Sequence, residues 1–183
     1  MIELISTSGW KGVSGLPLSG KSTRLLFALH SWMPQATHQD VLWIDFDHVY
    51  SAADGCARLA SQLHLRRCNQ QEELFATWTS ILKSMHTNSV VVFDNVNLGL
   101  PSWESFIHHL FHISAEFHGL CFVVVSTQLD KIVTSIRHDI KFTNVIRIDM
   151  MAPETALRMA TQYHPVTKVR LYVYLPTYLF MYL

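Results

Sequence analysis

Cysteine is scarce in this 183-residue chain: there are three, Cys56, Cys68 and Cys121, an odd number without metal-type spacing. That argues against a disulfide framework and for reduced thiols in an intracellular protein. An excess of charge is also missing. Fourteen Lys and Arg balance fourteen Asp and Glu, so the chain carries no basic footprint, and no nucleic acid is expected as a partner. The N-terminus lacks a basic segment followed by an apolar run, so no secretory signal is expected. Internal repeats and linker-like stretches are absent. What is abundant is apolar: hydrophobic residues make up 49% of the chain, which calls for a packed core rather than disorder. The length suits one domain.

The most informative stretch is Gly15-Leu16-Pro17-Leu18-Ser19-Gly20-Lys21-Ser22-Thr23. It matches G-x-x-x-x-G-K-[ST], the phosphate-binding loop of P-loop NTPases. Gly15 and Gly20 allow turns closed to other residues and bring backbone N–H groups close to an anion. The positive end of the following helix completes a phosphate cradle. Lys21 can reach β- and γ-phosphates, and the Ser22 hydroxyl can ligate Mg²⁺. A strand-like run, Trp10 to Ser14, precedes the loop, and a helix from Thr23 to Met33 follows, stopped by Pro34.

The rest of the chain alternates. Val41 to Ile44 is a continuous apolar run, read as a strand buried on both faces, with Asp45 and Asp47 at its C-terminal end. Open α/β sheets place their ligands at that end, although Asp47 serves equally well as a turn residue. Helices are expected from Ser51 to about Leu65 and from Gln70 to Met85. Ser89 to Asn95 is a β-branched strand ending in Asp94, the pattern that delivers a carboxylate to Mg²⁺.

A helix from Trp103 to His118 follows. Its His108 and His112, four apart, lack a third ligand and read as a solvated polar face. Cys121 to Gln128 forms a fourth strand, where Thr127 and Gln128 either face a γ-phosphate or cap the helix beginning near Asp130. A fifth strand spans about Asn144 to Ile148, and Pro153-Glu154 opens a helix to about Gln162. Five strands alternating with helices give an α/β fold, three-layered, with a mostly parallel five-stranded sheet.

These segments, in this order, resemble the nucleotide-binding domain of STAND NTPases, particularly the NB-ARC type. The resemblance is carried by the loop from Ser14 to Thr23 and by Val41-Leu42-Trp43-Ile44-Asp45. Val91-Val92-Phe93-Asp94-Asn95-Val96, Val124-Val125-Ser126-Thr127-Gln128 and the stretch Ile148 to Leu157 complete it. It implies that Gly15, Gly20 and Lys21 bind ATP or ADP phosphates and that Ser22 and Asp94 hold Mg²⁺. It also implies a conformational switch that works with other protein modules or by self-association.

Three departures bear on activity. Asn95 stands where many members carry a second acid, and an amide cannot take a proton from water, so hydrolysis is expected to be weak or absent. Gln128 stands where many carry Arg, and brings no charge to a γ-phosphate. The chain also ends where the family's lid modules begin.

The domain is expected to span residues 1–165. Residues 166–183 form an apolar tail, too short to span a bilayer comfortably. It reads as a packed element, a membrane-associating tail or a truncation product, and the missing lid favours the last. Membrane association of the protein is not expected. Two rivals to the switch remain. One is an active P-loop ATPase or kinase, against which stands the lack of an Arg-rich lid. The other is a degenerate scaffold, against which stands the intact Gly20-Lys21-Ser22.

Overall fold

The computed structural model describes residues 1, 5–32, 40–65, 71–136 and 140–149. The chain divides into two compact units, Met1–Asp149 and Met150–Leu183. All described residues belong to the first. The expected helix from Pro153, the apolar tail and the proposed boundary at residue 165 lie outside them.

Five strands form one sheet: β1 (Gly9–Gly15), β2 (Val41–Asp45), β3 (Val90–Asp94), β4 (Cys121–Ser126) and β5 (Phe142–Ile148). Their order across the sheet is β2-β3-β4-β1-β5, and every pairing is parallel. The helices are α1 (Lys21–Trp32), α2 (Ala52–Gln62), α3 (Gln71–Ser84), α4 (Pro101–Ala115) and α5 (Leu129–Ser135). Parallel strands need crossovers, and the alternation of apolar runs with amphipathic segments supplies them.

Strand side chains alternate between faces, so each central strand feeds two cores. Phe93, Phe122 and Trp10 face one side, where α2, α3 and α4 pack Leu59, Trp78, Phe106 and Phe111 against them. Trp10 stacks on Phe122 at a centroid distance of 4.7 Å. Val90, Val92, Val123 and Val13 face the other side and meet Leu25, Leu29 and Trp32 of α1. Helices on both faces explain why β3 and β4 are continuously apolar up to their polar last residues, Asp94 and Ser126, rather than alternating.

Local signals set the helix starts. Ser51 caps α2: its side chain accepts from the Asp54 N–H, and the Asp54 carboxylate accepts from the Ser51 N–H. Pro101 begins α4, at the position where a missing N–H costs least. Cys121 is fully buried in β4, and burial pushes its thiol up to about 12, which keeps it an unreactive core residue.

Candidate phosphate-binding site

β1 runs straight into the loop, and α1 leaves it. Gly15, the last residue of β1, has φ +151°. A Cβ there would collide with the Ile148 carbonyl of β5 and come within 3.0 Å of the Ser19 Oγ. Gly20 has φ +78°, and a Cβ on it would meet nothing within 4 Å, so its requirement is conformational and the space before it is open. Leu16, Pro17 and Leu18 form the exposed crest, with Leu18 itself at φ +62°. The turn closes with the Ser19 N–H donating to the Leu16 carbonyl over 3.2 Å.

Lys21 and Ser22 open α1, and Thr23 lies exposed behind them. The first turn of α1 carries no acid. Its leading N–H groups have no partners inside the helix, so this end is positive. Lys21 is nonetheless 8% exposed and turned inward. Its Nζ donates to the carbonyls of Leu16 (2.8 Å) and Gly15 (3.2 Å). Burial holds its ammonium below the ordinary lysine range, with Asp94 pulling the other way.

The β3 strand delivers Asp94, 3% exposed, opposite this loop. Ser22 Oγ donates to Asp94 Oδ1 over 2.8 Å. Burial pushes the Asp94 carboxyl upward, opposed by hydrogen bonds from Ser22 and the Asn95 N–H; Asp45 pushes further upward and Lys21 opposes. The two candidate metal ligands, Ser22 and Asp94, are therefore brought together. A hydroxyl and a carboxylate are the oxygen donors that Mg²⁺ takes alongside phosphates.

Whether the loop suits phosphate can be tested on Ser19. Its hydroxyl is buried at 2% exposure and has no hydrogen-bond partner among the described residues. A buried unpaired hydroxyl is costly, and an anionic oxygen would satisfy it. With the inward lysine and the two glycines, the residues fit a polyphosphate.

Asn95 follows Asp94 with φ +57°. Its Nδ2 donates to Asp45 Oδ1 over 2.8 Å. Gln128 is the N-cap residue of α5, its carbonyl accepting from the Lys131 and Ile132 N–H groups, but its side chain makes no cap bond. Its Oε1 accepts from the Leu98 N–H over 3.1 Å, while Thr127 Oγ1 donates to Asn97 Oδ1 over 2.8 Å. The capping alternative thus holds for the Gln128 main chain, while both side chains clasp the loop after β3.

Asp45 was noted in the sequence only by its place at a strand end. The structure puts it in β2 at the register of Asp94. Arg58 Nε and Gln62 Nε2, both on α2, donate to its carbonyl at 2.9 and 2.7 Å. The four-residue spacing of Arg58 and Gln62 on one helix face was the available signal. Asp47 is exposed and pairs with His48, a turn role rather than a site role.

A cavity of about 620 Å³ lies elsewhere, between α4 and the chain after α5, lined in part by Glu104, His108, His112 and Ile140. No residue from Gly15 to Thr23 lines it. No group of three metal-ligating side chains occurs among the described residues. His112 is exposed, whereas His108 is half-buried and bonds Ser135 of α5.

No protein-family model and no curated protein matches the chain. Solved structures do. Cdc6p from Pyrobaculum aerophilum superposes with a TM-score of 0.55 at 18% identity, covering 76% of this chain and 38% of its own. The Aeropyrum pernix ORC1 protein, solved in complex with DNA, gives 0.61 at 12% identity over 85% of this chain and 43% of its own. Drosophila ORC bound to DNA gives 0.59 at 14% identity over 91% and 43%. The chain thus spans about two-fifths of the length of these neighbours.

These neighbours correct one expectation from composition. Balanced charge argues against nucleic acid as a partner, yet two of the three structures just described are DNA complexes. Net charge sums a whole chain and does not speak for any one surface, nor for the parts of these neighbours that this chain does not cover. Among the described residues no helix is long and apolar enough to cross a membrane. The parallel five-stranded sheet, its order and the glycine-rich loop between β1 and α1 give this chain the P-loop NTPase fold.

Proposed function

We propose that this chain is a Mg²⁺-dependent ATP/ADP-binding module whose bound nucleotide sets the conformation of a larger protein, with weak or absent hydrolysis. The observation that carries the reading is the buried constellation of Ser19, Lys21, Ser22 and Asp94, which holds an unpaired hydroxyl and two desolvated charges. A Mg-nucleotide would supply complementary partners for all of them. When bound, Mg²⁺ would neutralise charge on the phosphates. The chain's own residues bind and orient: loop amides and Lys21 toward phosphate, Ser22 and Asp94 toward the metal. Asn95 has no carboxylate with which to accept a proton from water, which keeps turnover slow.

Two settings for the switch are supported differently. The loop and strand motifs resemble STAND and NB-ARC modules, which work through other protein modules or self-association. The fold neighbours favour a nucleotide-dependent part of a DNA-bound assembly, because ORC1 and Drosophila ORC were solved on DNA and an Aeropyrum pernix ORC2 in ADPNP–ADP complexes. Either setting agrees with the cytoplasm or nucleus as the compartment we propose.

The binding reading is tested by thermal shift with Mg-ADP and Mg-ATP. At 100 times its Kd a nucleotide stabilises the fold by ~2.7 kcal/mol. Equal melting of the wild type and Lys21→Ala, with neither responding, would remove the claim. Fluorescence anisotropy on duplex DNA, with and without nucleotide, separates the two settings.

A further inference from the structure

The acid missing at position 95 has a counterpart one strand away. Asp45 and Asp94 occupy the same register on β2 and β3. Residues at equal register in adjacent parallel strands point to the same face, about 4.8 Å apart. Asn95 lies against both. Its N–H donates to Asp94 Oδ1 over 2.9 Å, and its Nδ2 donates to Asp45 Oδ1 over 2.8 Å.

An ionised carboxylate accepts hydrogen bonds and donates none. The amide end facing Asp45 must therefore be the NH₂, and the other end must be Oδ1. Asp45 is itself fixed. Its Oδ1 also accepts from the Asp47 N–H over 2.9 Å, its Oδ2 lies 3.5 Å from the Arg58 guanidinium, and its main chain is held by Arg58 and Gln62. At φ +57° the backbone of Asn95 is equally constrained.

We infer that Asp45 is a positioning residue for Asn95: it pins the amide so that an uncharged acceptor oxygen faces the nucleotide side, beside Asp94. The inference rests on the nucleotide-binding reading for what that oxygen faces. Position 95 then orients water without taking its proton. The geometry also accounts for the amide. With Asp45 in place, an acid at 95 would set a third carboxylate against Asp94 and Asp45, so the pair holds one carboxylate and one amide.

The test is a double-mutant cycle of wild type, Asp45→Asn, Asn95→Asp and the exchanged pair Asp45→Asn with Asn95→Asp. Arg58 and Gln62 bond the main-chain oxygen of residue 45, so these anchors survive the substitutions. Melting without nucleotide comes first. Asn95→Asp should lose several degrees and the exchanged pair should recover them. An Asn95→Asp protein as stable as wild type, or an exchanged pair no more stable than Asn95→Asp, overturns the inference.

Single-turnover phosphate release with Mg-ATP comes second, because a purely structural pairing would leave it unmoved. In the exchanged protein the carboxylate stands at 95. Water oxygen bonds to the γ-phosphorus, the bridging P–O bond breaks with its electron pair leaving on ADP, and the water proton passes to that carboxylate. Release should exceed wild type at least ~10-fold, since a positioned base contributes 10²–10⁴-fold. Restored melting with release at the wild-type level, while Mg-ADP still binds, overturns the positioning role. A nucleotide-free cycle that succeeds while no protein binds Mg-ADP removes the nucleotide-facing half together with the reading beneath it.

Discussion

Ser22 Oγ donates to Asp94 Oδ1 over 2.8 Å, tying the first turn of α1 to the end of β3. Each group is the other's partner when nothing else is bound, and a divalent cation would have to part them. Ser22→Ala should therefore leave binding of ADP in EDTA nearly unchanged while shrinking the gain from added Mg²⁺. A tenfold loss in Mg-ADP affinity, about 1.4 kcal/mol, is expected from calorimetric titration with and without the metal. Equal losses in both conditions would show that the hydroxyl serves the fold or the phosphates instead.

Burial disfavours the charged forms of Asp94 and Lys21, and the pH dependence follows with a definite sign. Asp94 has a raised pKa, so its contribution to stability is present below the ordinary carboxyl value of 3.8 and lost as pH rises through the elevated value. Lys21 has a lowered pKa, so its contribution is present above 10.5 and lost as pH falls through the depressed value. At pH 7 both charges are carried at a cost. Asp94→Asn should accordingly raise the melting temperature of the nucleotide-free protein at pH 7 by a few degrees. The advantage should vanish as the wild-type carboxyl protonates in acid, and the Mg²⁺ response should be lost at every pH. Melting curves across that range check the sign.

Gly15 and Gly20 bear different loads. Gly15 lies against the Ile148 carbonyl at the register where β1 pairs with β5. Alanine there meets both a steric block and an unfavourable φ, and should cost roughly 3 kcal/mol or more. Gly20 faces open space, so alanine pays only for φ +78°, about 1–2 kcal/mol. Urea denaturation should rank Gly15→Ala well below Gly20→Ala in stability, whereas nucleotide affinity should fall in both.

The sheet and its loop were legible because burial on both faces and a glycine-spaced turn between strand and helix each impose a local pattern. Val90 to Phe93 is apolar because helices cover both sides, and Gly15 to Ser22 is spaced as an anion cradle demands. Element ends moved by a few residues: α1 begins at Lys21 rather than Thr23, and α4 at Pro101 rather than Trp103. Contacts between strands were not legible. Nothing in the text near Asn95 says that Asp45, fifty residues earlier, receives its amide. Likewise the cap position of Gln128 is local and legible, whereas its side-chain bond to the Leu98 N–H depends on how two loops meet.

Ser19 gives the sharpest separation between stability and binding. Its hydroxyl is buried without a partner among the described residues, while its N–H already closes the turn onto Leu16. Alanine keeps the turn and removes the orphaned group, so the nucleotide-free protein should gain about 1–3 kcal/mol. A phosphate oxygen that would have satisfied the hydroxyl then loses a partner, and nucleotide affinity should fall by about 1 kcal/mol, roughly fivefold. Melting temperature without nucleotide should therefore rise above wild type, while the further rise produced by Mg-ADP should be smaller than in wild type. A Ser19→Ala protein that is both less stable and equally able to bind would show that the hydroxyl supports the loop rather than a ligand.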